Sequence, residues 1–96
     1  MTNDHALARR MLADMFLYYR LRPHGFADGD AAGCPKADFA SAPLRLAILL
    51  DAAPDDPRTD ELIDTGWRVL ALSGAQIRDD PGSIRQTLLD TAQALA

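Results

Sequence analysis

The stretch PHGFADGDAAGCPK, residues 23–36, holds a concentrated set of chemically versatile side chains: His24, Asp28, Asp30 and the single cysteine, Cys34. An imidazole, two carboxylates and a thiol are the donor types of a metal site, of a thiol nucleophile with its base, or of a small-ligand grip. Each of these chemistries demands a spacing. No C-x-x-C, H-x-x-x-H or E-x-x-H pair is present, so neither a structural zinc site nor a bundle-type di-iron site is supported. Asp28, Asp30 and Gly33 match the first, third and sixth positions of a twelve-residue calcium loop. Ala32 then stands where a third oxygen ligand belongs, and Phe39 where a bidentate glutamate must stand. Only a loop folded around an ion could bring His24, Asp28, Asp30, Cys34 and Asp38 together.

Other site chemistries fare no better. Gly25, Gly29 and Gly33 recur every four residues, but Asp28 and Asp30 between them repel a phosphate, and Lys36 alone does not reverse that. Cys34 as a nucleophile needs a base, and His24 is the nearest candidate, ten positions away. The competing role for Cys34, a small apolar anchor holding a loop to the core, asks for less and is preferred. No cofactor is implied, and no catalytic constellation emerges.

The charge balance narrows the partners. A formal net charge of -4 gives no basic face for nucleic acid. Residues 1–24 hold four arginines against two aspartates, while residues 25–96 hold six cations against twelve anions. This asymmetry lets the N-terminal segment of one molecule approach the acidic part of another. It also has a local reading, in which Arg20 and Arg22 favour the negative end of a helix dipole. No apolar run reaches the roughly 18 residues of a membrane span, and MTNDHALARR lacks the pattern of a signal peptide. With one cysteine and no internal disulfide possible, a cytoplasmic protein is expected.

The elements that must position these residues read as helical. Seventeen alanines and fourteen leucines stand against one valine, which favours helix over strand. Ninety-six residues support one hydrophobic core. The reading is a single all-α domain, a four-helix bundle with helices over about 4–22, 42–53, 57–78 and 81–95 and a long loop over 23–41.

The first helix, capped by Asn3 or Asp4, runs to Pro23, with Leu7, Ala8, Met11, Leu12 and Met15 on one stripe. From residue 15 it is apolar nearly all round, with Met15, Phe16, Leu17, Tyr18, Tyr19 and Leu21. Such a segment needs cover on every side, either from the long loop or from another protein. The second helix, LRLAILLDAA, is the most central element. A buried strand competes for it, since a continuous apolar run carries no period. The third contains Gly66 and Gly74, read as sites of close helix packing; a break at Gly74 is one alternative, and WRVLAL as a strand beside RLAILL is another. The fourth starts at Asp80-Pro81, or at Ser83 with Gln86 completing a capping box, and carries the stripe Ile84, Leu88, Ala92 and Leu95.

Function is then expected to lie in contact rather than catalysis. The preferred reading is a small acidic, non-enzymatic protein–protein interaction module, of the inhibitor, immunity or antitoxin-like, accessory-subunit or adaptor kind. It works as a homodimer through Met15, Phe16, Leu17, Tyr18, Tyr19 and Leu21. The alternative is a small-ligand or metal-binding protein that uses the 23–38 loop.

Overall fold

The computed structural model describes residues 4–96, so the possible cap Asn3 lies outside the described residues. The fold is α+β, not all-α: a four-stranded mixed sheet is layered with four helices. Helix α1 (Asp4–Met15) is followed by tight turns, one turn of 3-10 helix at Arg22–His24, and strand β1 (Phe26–Asp28). Then come β2 (Phe39–Ser41), β3 (Leu46–Leu50), α2 (Pro57–Asp64), β4 (Arg68–Leu72), α3 (Gly74–Asp79) and α4 (Pro81–Leu95). The strands lie in the order β1-β2-β3-β4. β1 and β2 pair antiparallel, with Phe26 opposite Ser41; β2 and β3 pair antiparallel, with Phe39 opposite Ile48. β3 and β4 run parallel, Leu46 opposite Arg68 and Leu50 opposite Leu72, and α2 supplies the crossover.

Three of the expected helices are corrected, each for a physical reason. The run over 42–53 contains the central strand β3, all five of whose residues are buried. Leucine and alanine favour helix only weakly, and tertiary context overrides them when both faces of a segment are covered. Leu46, Ile48 and Leu50 face a core shared with Leu12, Phe16, Leu21, Ile77, Ile84 and Leu88, while Ala47 and Leu49 face a second core with Leu62, Trp67 and Cys34. A helix would spread this apolar set around a cylinder; a strand divides it between two layers.

The expected helix over 57–78 is three elements. Asp56 caps α2, its carboxylate accepting from the Arg58 amide at 2.9 Å. The helix stops before Gly66, whose φ of 90° suits glycine and directs the chain into β4. Gly74 is not a mid-helix packing site: it opens α3 behind the cap Ser73. The WRVLAL strand that stood as an alternative is present as β4, beside β3.

The first helix ends at Met15 rather than at 22. An all-round apolar helix has no cover here, and the turns over 16–21 divide the set instead: Phe16 and Leu21 go inward, Leu17 and Tyr19 outward. The interval 23–41 is also more than a loop, since it holds β1 and β2. Only residues 29–38 connect them, folded over the α2 side of the sheet with Cys34 and Ala37 in the second core.

Candidate functional site

The loop residues do not converge on one point. Among the described residues no group of three or more His, Cys, Asp or Glu side chains is placed to hold a metal ion. His24 is half-buried; its ring meets Phe26 edge-on at 6.5 Å, and its carbonyl accepts a hydrogen bond from the Ser41 hydroxyl. Cys34 lies on the α2 side, buried beside Leu62 and Trp67. Burial raises its thiol pKa, partly offset by a backbone hydrogen bond with Ala37 and by the charge of Arg45. At neutral pH it is a protonated thiol and a poor nucleophile.

Asp28 and Asp30 line a small polar cavity of about 200 Å3 with Arg9, Gly29, Pro35, Ala37 and Asp38. Two of its three carboxylates, Asp28 and Asp38, face guanidinium groups. The Arg9 guanidinium donates to Asp38 at 2.8 Å and stands 3.9 Å from Asp28, and Arg58 stands 3.9 Å from Asp38 on its other oxygen. That oxygen also accepts the Leu50 amide at 2.8 Å. The cluster ties α1, the loop, β3 and α2 together. Arg9 and Asp38 hold its centre, and nothing in their local sequence pattern points to the pairing.

At the carboxyl ends of the parallel strands, where α/β sheets commonly bind ligands, Asp51 accepts the Gly74 amide at 2.8 Å and lies 3.5 Å from His5 Nδ1. The neighbouring Ser73 hydroxyl caps α3 by accepting from the Gln76 amide. An imidazole lies beside a carboxylate, but the two make no hydrogen bond, Ser73 is committed to the cap, and no nucleophile is hydrogen-bonded to His5 among the described residues. This arrangement positions α1 and α3 and offers no complete acid–base–nucleophile set.

An apolar groove lies where α1 ends and α4 begins. It has a volume of about 480 Å3 and is lined by Met11, Asp14, Met15, Leu17, Tyr18, Pro81 and Arg85. Leu17 is 68% exposed and Tyr19 71%. Tyr19 leans on Tyr18 with ring centroids 4.8 Å apart, and the Arg85 guanidinium lies 5.1 Å over the Tyr18 ring. Phe16 and Leu21 are core residues; Phe16 stacks on Phe26 at 4.7 Å and meets Phe39 edge-on at 5.2 Å. Of the six apolar residues read as a contact surface, Met15, Leu17, Tyr18 and Tyr19 therefore carry its accessible part. Asp14 and Arg85, which give the groove its charges, escape a search for apolar contact residues; their signal is tertiary, because α4 must pack beside α1 before they share a rim.

The chain matches no family model, no curated protein and no solved structure. No helix among the described residues is long and apolar enough to cross a membrane.

Proposed function

We propose that this chain is a non-enzymatic protein–protein interaction module of the cytoplasm, homodimeric, whose groove between α1 and α4 takes an amphipathic helix of a partner protein. The carrying observation is the groove itself: an open apolar surface continued by the exposed Leu17 and Tyr19. An apolar groove with polar groups on its rim is a common form of contact surface. Two methionines in the lining suit helix-in-groove recognition, since their flexible thioethers adapt to a partner's stripe.

Charge narrows the occupant. Asp14 and Arg85 both line the groove, and neither is ion-paired among the described residues. A partner helix bearing a base and an acid beside its apolar stripe complements both. The net charge of -4 argues against a nucleic acid in that role. The free, buried Cys34 suits a reducing compartment.

The test compares affinity capture from native lysate by the parent chain and by Leu17→Asp, a change at an exposed position that leaves the core intact. A stoichiometric protein is captured by the first and lost with the second, and a synthetic helical segment of that protein competes for the groove. Identical captures by both chains overturn the groove reading.

A further inference from the structure

The outer edge of β4 differs from the outer edge of β1 in a way that specifies a partner. β1 is three residues long, ends in Asp28, and turns at once into the loop. β4 runs for five residues, RVLAL, with a single charge at its first position and no proline or lysine. Natural sheets protect exposed edges with short strands, charges, prolines or bulges. β1 carries such protection throughout, whereas among the described residues β4 has only Arg68 at its first position.

The backbone directions are settled by two hydrogen bonds. The Arg68 amide donates to the Arg45 carbonyl at 2.8 Å, and the Leu72 carbonyl accepts from the Asp51 amide at 2.9 Å. Amide and carbonyl of one strand residue point the same way, and the direction alternates along the strand. Residues 68, 70 and 72 therefore face β3, and the amides and carbonyls of Val69 and Ala71 face outward. Val69 and Leu70 are half-buried and lie on opposite faces, Leu70 against the core with α1, α3 and α4 and Val69 against the core with α2. Ala71 and Arg68 are exposed.

We propose that β4 pairs antiparallel with β4 of a second copy of this chain, joining the two sheets into one of eight strands about a two-fold axis at Leu70. This deepens and rests on the homodimer part of the function proposed above, and it shares no residue with the groove. The register follows from which groups are free. Val69 opposite the partner's Ala71, and the reverse, pairs all four outward groups of both strands. A shift in one direction brings in Trp67, whose amide is already donated to Leu62; a shift in the other brings in Ser73, whose carbonyl already accepts from Ile77.

The side chains suit this register. Leu70 meets its own copy at a non-hydrogen-bonded position, where Cα atoms approach to about 4.5 Å, so two half-covered leucines cover each other. Val69 faces a small Ala71 on the other side of the sheet. The two Arg68 residues fall four positions apart, roughly 13 Å along the strands, beyond effective repulsion at physiological salt. Self-pairing through one patch gives a closed dimer and not a fibre.

Sedimentation equilibrium and directed cross-linking test this. The parent chain sediments at twice its 10.4 kDa mass across the micromolar range, and Ala71→Pro sediments at 10.4 kDa with its circular dichroism retained, because the amide it removes serves no bond within the chain. In a Cys34→Ala background, Leu70→Cys oxidises to a covalent dimer much faster than Ala71→Cys, since only position 70 faces itself. A monomeric parent, a dimer that survives Ala71→Pro in a folded chain, or equal cross-linking at positions 70 and 71 overturns the proposal. If Ala71→Pro does not fold, the cross-linking pair decides alone. Leu17→Asp leaves the dimer intact, so loss of groove binding and loss of edge pairing are read separately.

Discussion

The Arg9 guanidinium donates to the Asp38 carboxylate at 2.8 Å, joining the middle of α1 to the residue that leads into β2. Asp38 also accepts the Leu50 amide, so one side chain holds a helix and the end of the central strand together. Its side chain is 16% exposed, which places the pair between a surface ion pair and a buried one.

Asp38→Ala leaves the Leu50 amide and Arg9 without their acceptor and is expected to cost about 2–3 kcal/mol. Urea unfolding checks it as a lower midpoint at unchanged slope. Arg9→Met keeps the aliphatic stem and costs less, and a double-mutant cycle of the two shows positive coupling.

Arg45 sits in the left-handed region at φ 52°, with its guanidinium 4.4 Å over the Trp67 ring and a hydrogen bond to the Thr65 carbonyl at 3.0 Å. Arg45→Ala loses both contacts and keeps the strained backbone, costing about 1–2 kcal/mol. Arg45→Gly loses the same contacts but removes the strain. The glycine variant therefore melts above the alanine variant, the reverse of the usual order for the two residues.

Gly29 and Gly82 respond oppositely to alanine. A Cβ at Gly29 would lie 2.1 Å from the Ala37 carbonyl oxygen and 2.4 Å from that of Cys34, so Gly29→Ala must displace the backbone of the loop. The expected cost is about 2 kcal/mol or more. Gly82 lies in the first turn of α4 with open space around it, and alanine there adds up to about 1 kcal/mol of stability. Thermal melts of the two variants shift in opposite directions.

Acid stability isolates Asp56. Side-chain and backbone hydrogen bonds from Arg58 hold its carboxyl below the ordinary 3.8. A depressed carboxylate contributes stability that is full above the unfolded value and is lost as pH falls through the folded one. Asp56→Asn keeps a competent helix cap but no charge, so its stability falls less steeply below about pH 4 than that of the parent chain.

Cys34 gives the opposite sign at the alkaline end. Its raised thiol pKa means that the folded chain resists deprotonation, a contribution present below the unfolded value of 9.0 and lost as pH rises through the folded one. Alkylation by iodoacetamide is much slower in the native chain than in denaturant, and the difference persists at pH 8. Equal rates in both states would refute the burial of the thiol.

Local patterns are legible in this sequence. Asp80-Pro81 followed by Ile84, Leu88 and Ala92 marks a one-sided helix, and α4 buries those three residues. Asp56-Pro57 likewise marks the start of a helix, since a cap and a first-turn proline act within four residues. Met15–Leu21 is recognisable as an apolar surplus, but which of its members face outward depends on the turns after residue 15. The polar cluster of Arg9, Asp38 and Arg58 and the His5–Asp51 contact are illegible, because each joins residues 20 or more positions apart.

The sequence by itself determined composition, charge, the helix starts at Asp56-Pro57 and Asp80-Pro81, and the absence of any known metal-ligand spacing. Tertiary structure alone decided that Leu46–Leu50 is a strand, because an unbroken apolar run takes its conformation from what covers it. With α1, α3 and α4 on one side and α2 and the 29–38 loop on the other, a strand sends alternate residues to two cores, and helix propensities of a few tenths of a kcal/mol per residue do not resist that. The same decision made β4 its parallel neighbour and the outer strand of the sheet.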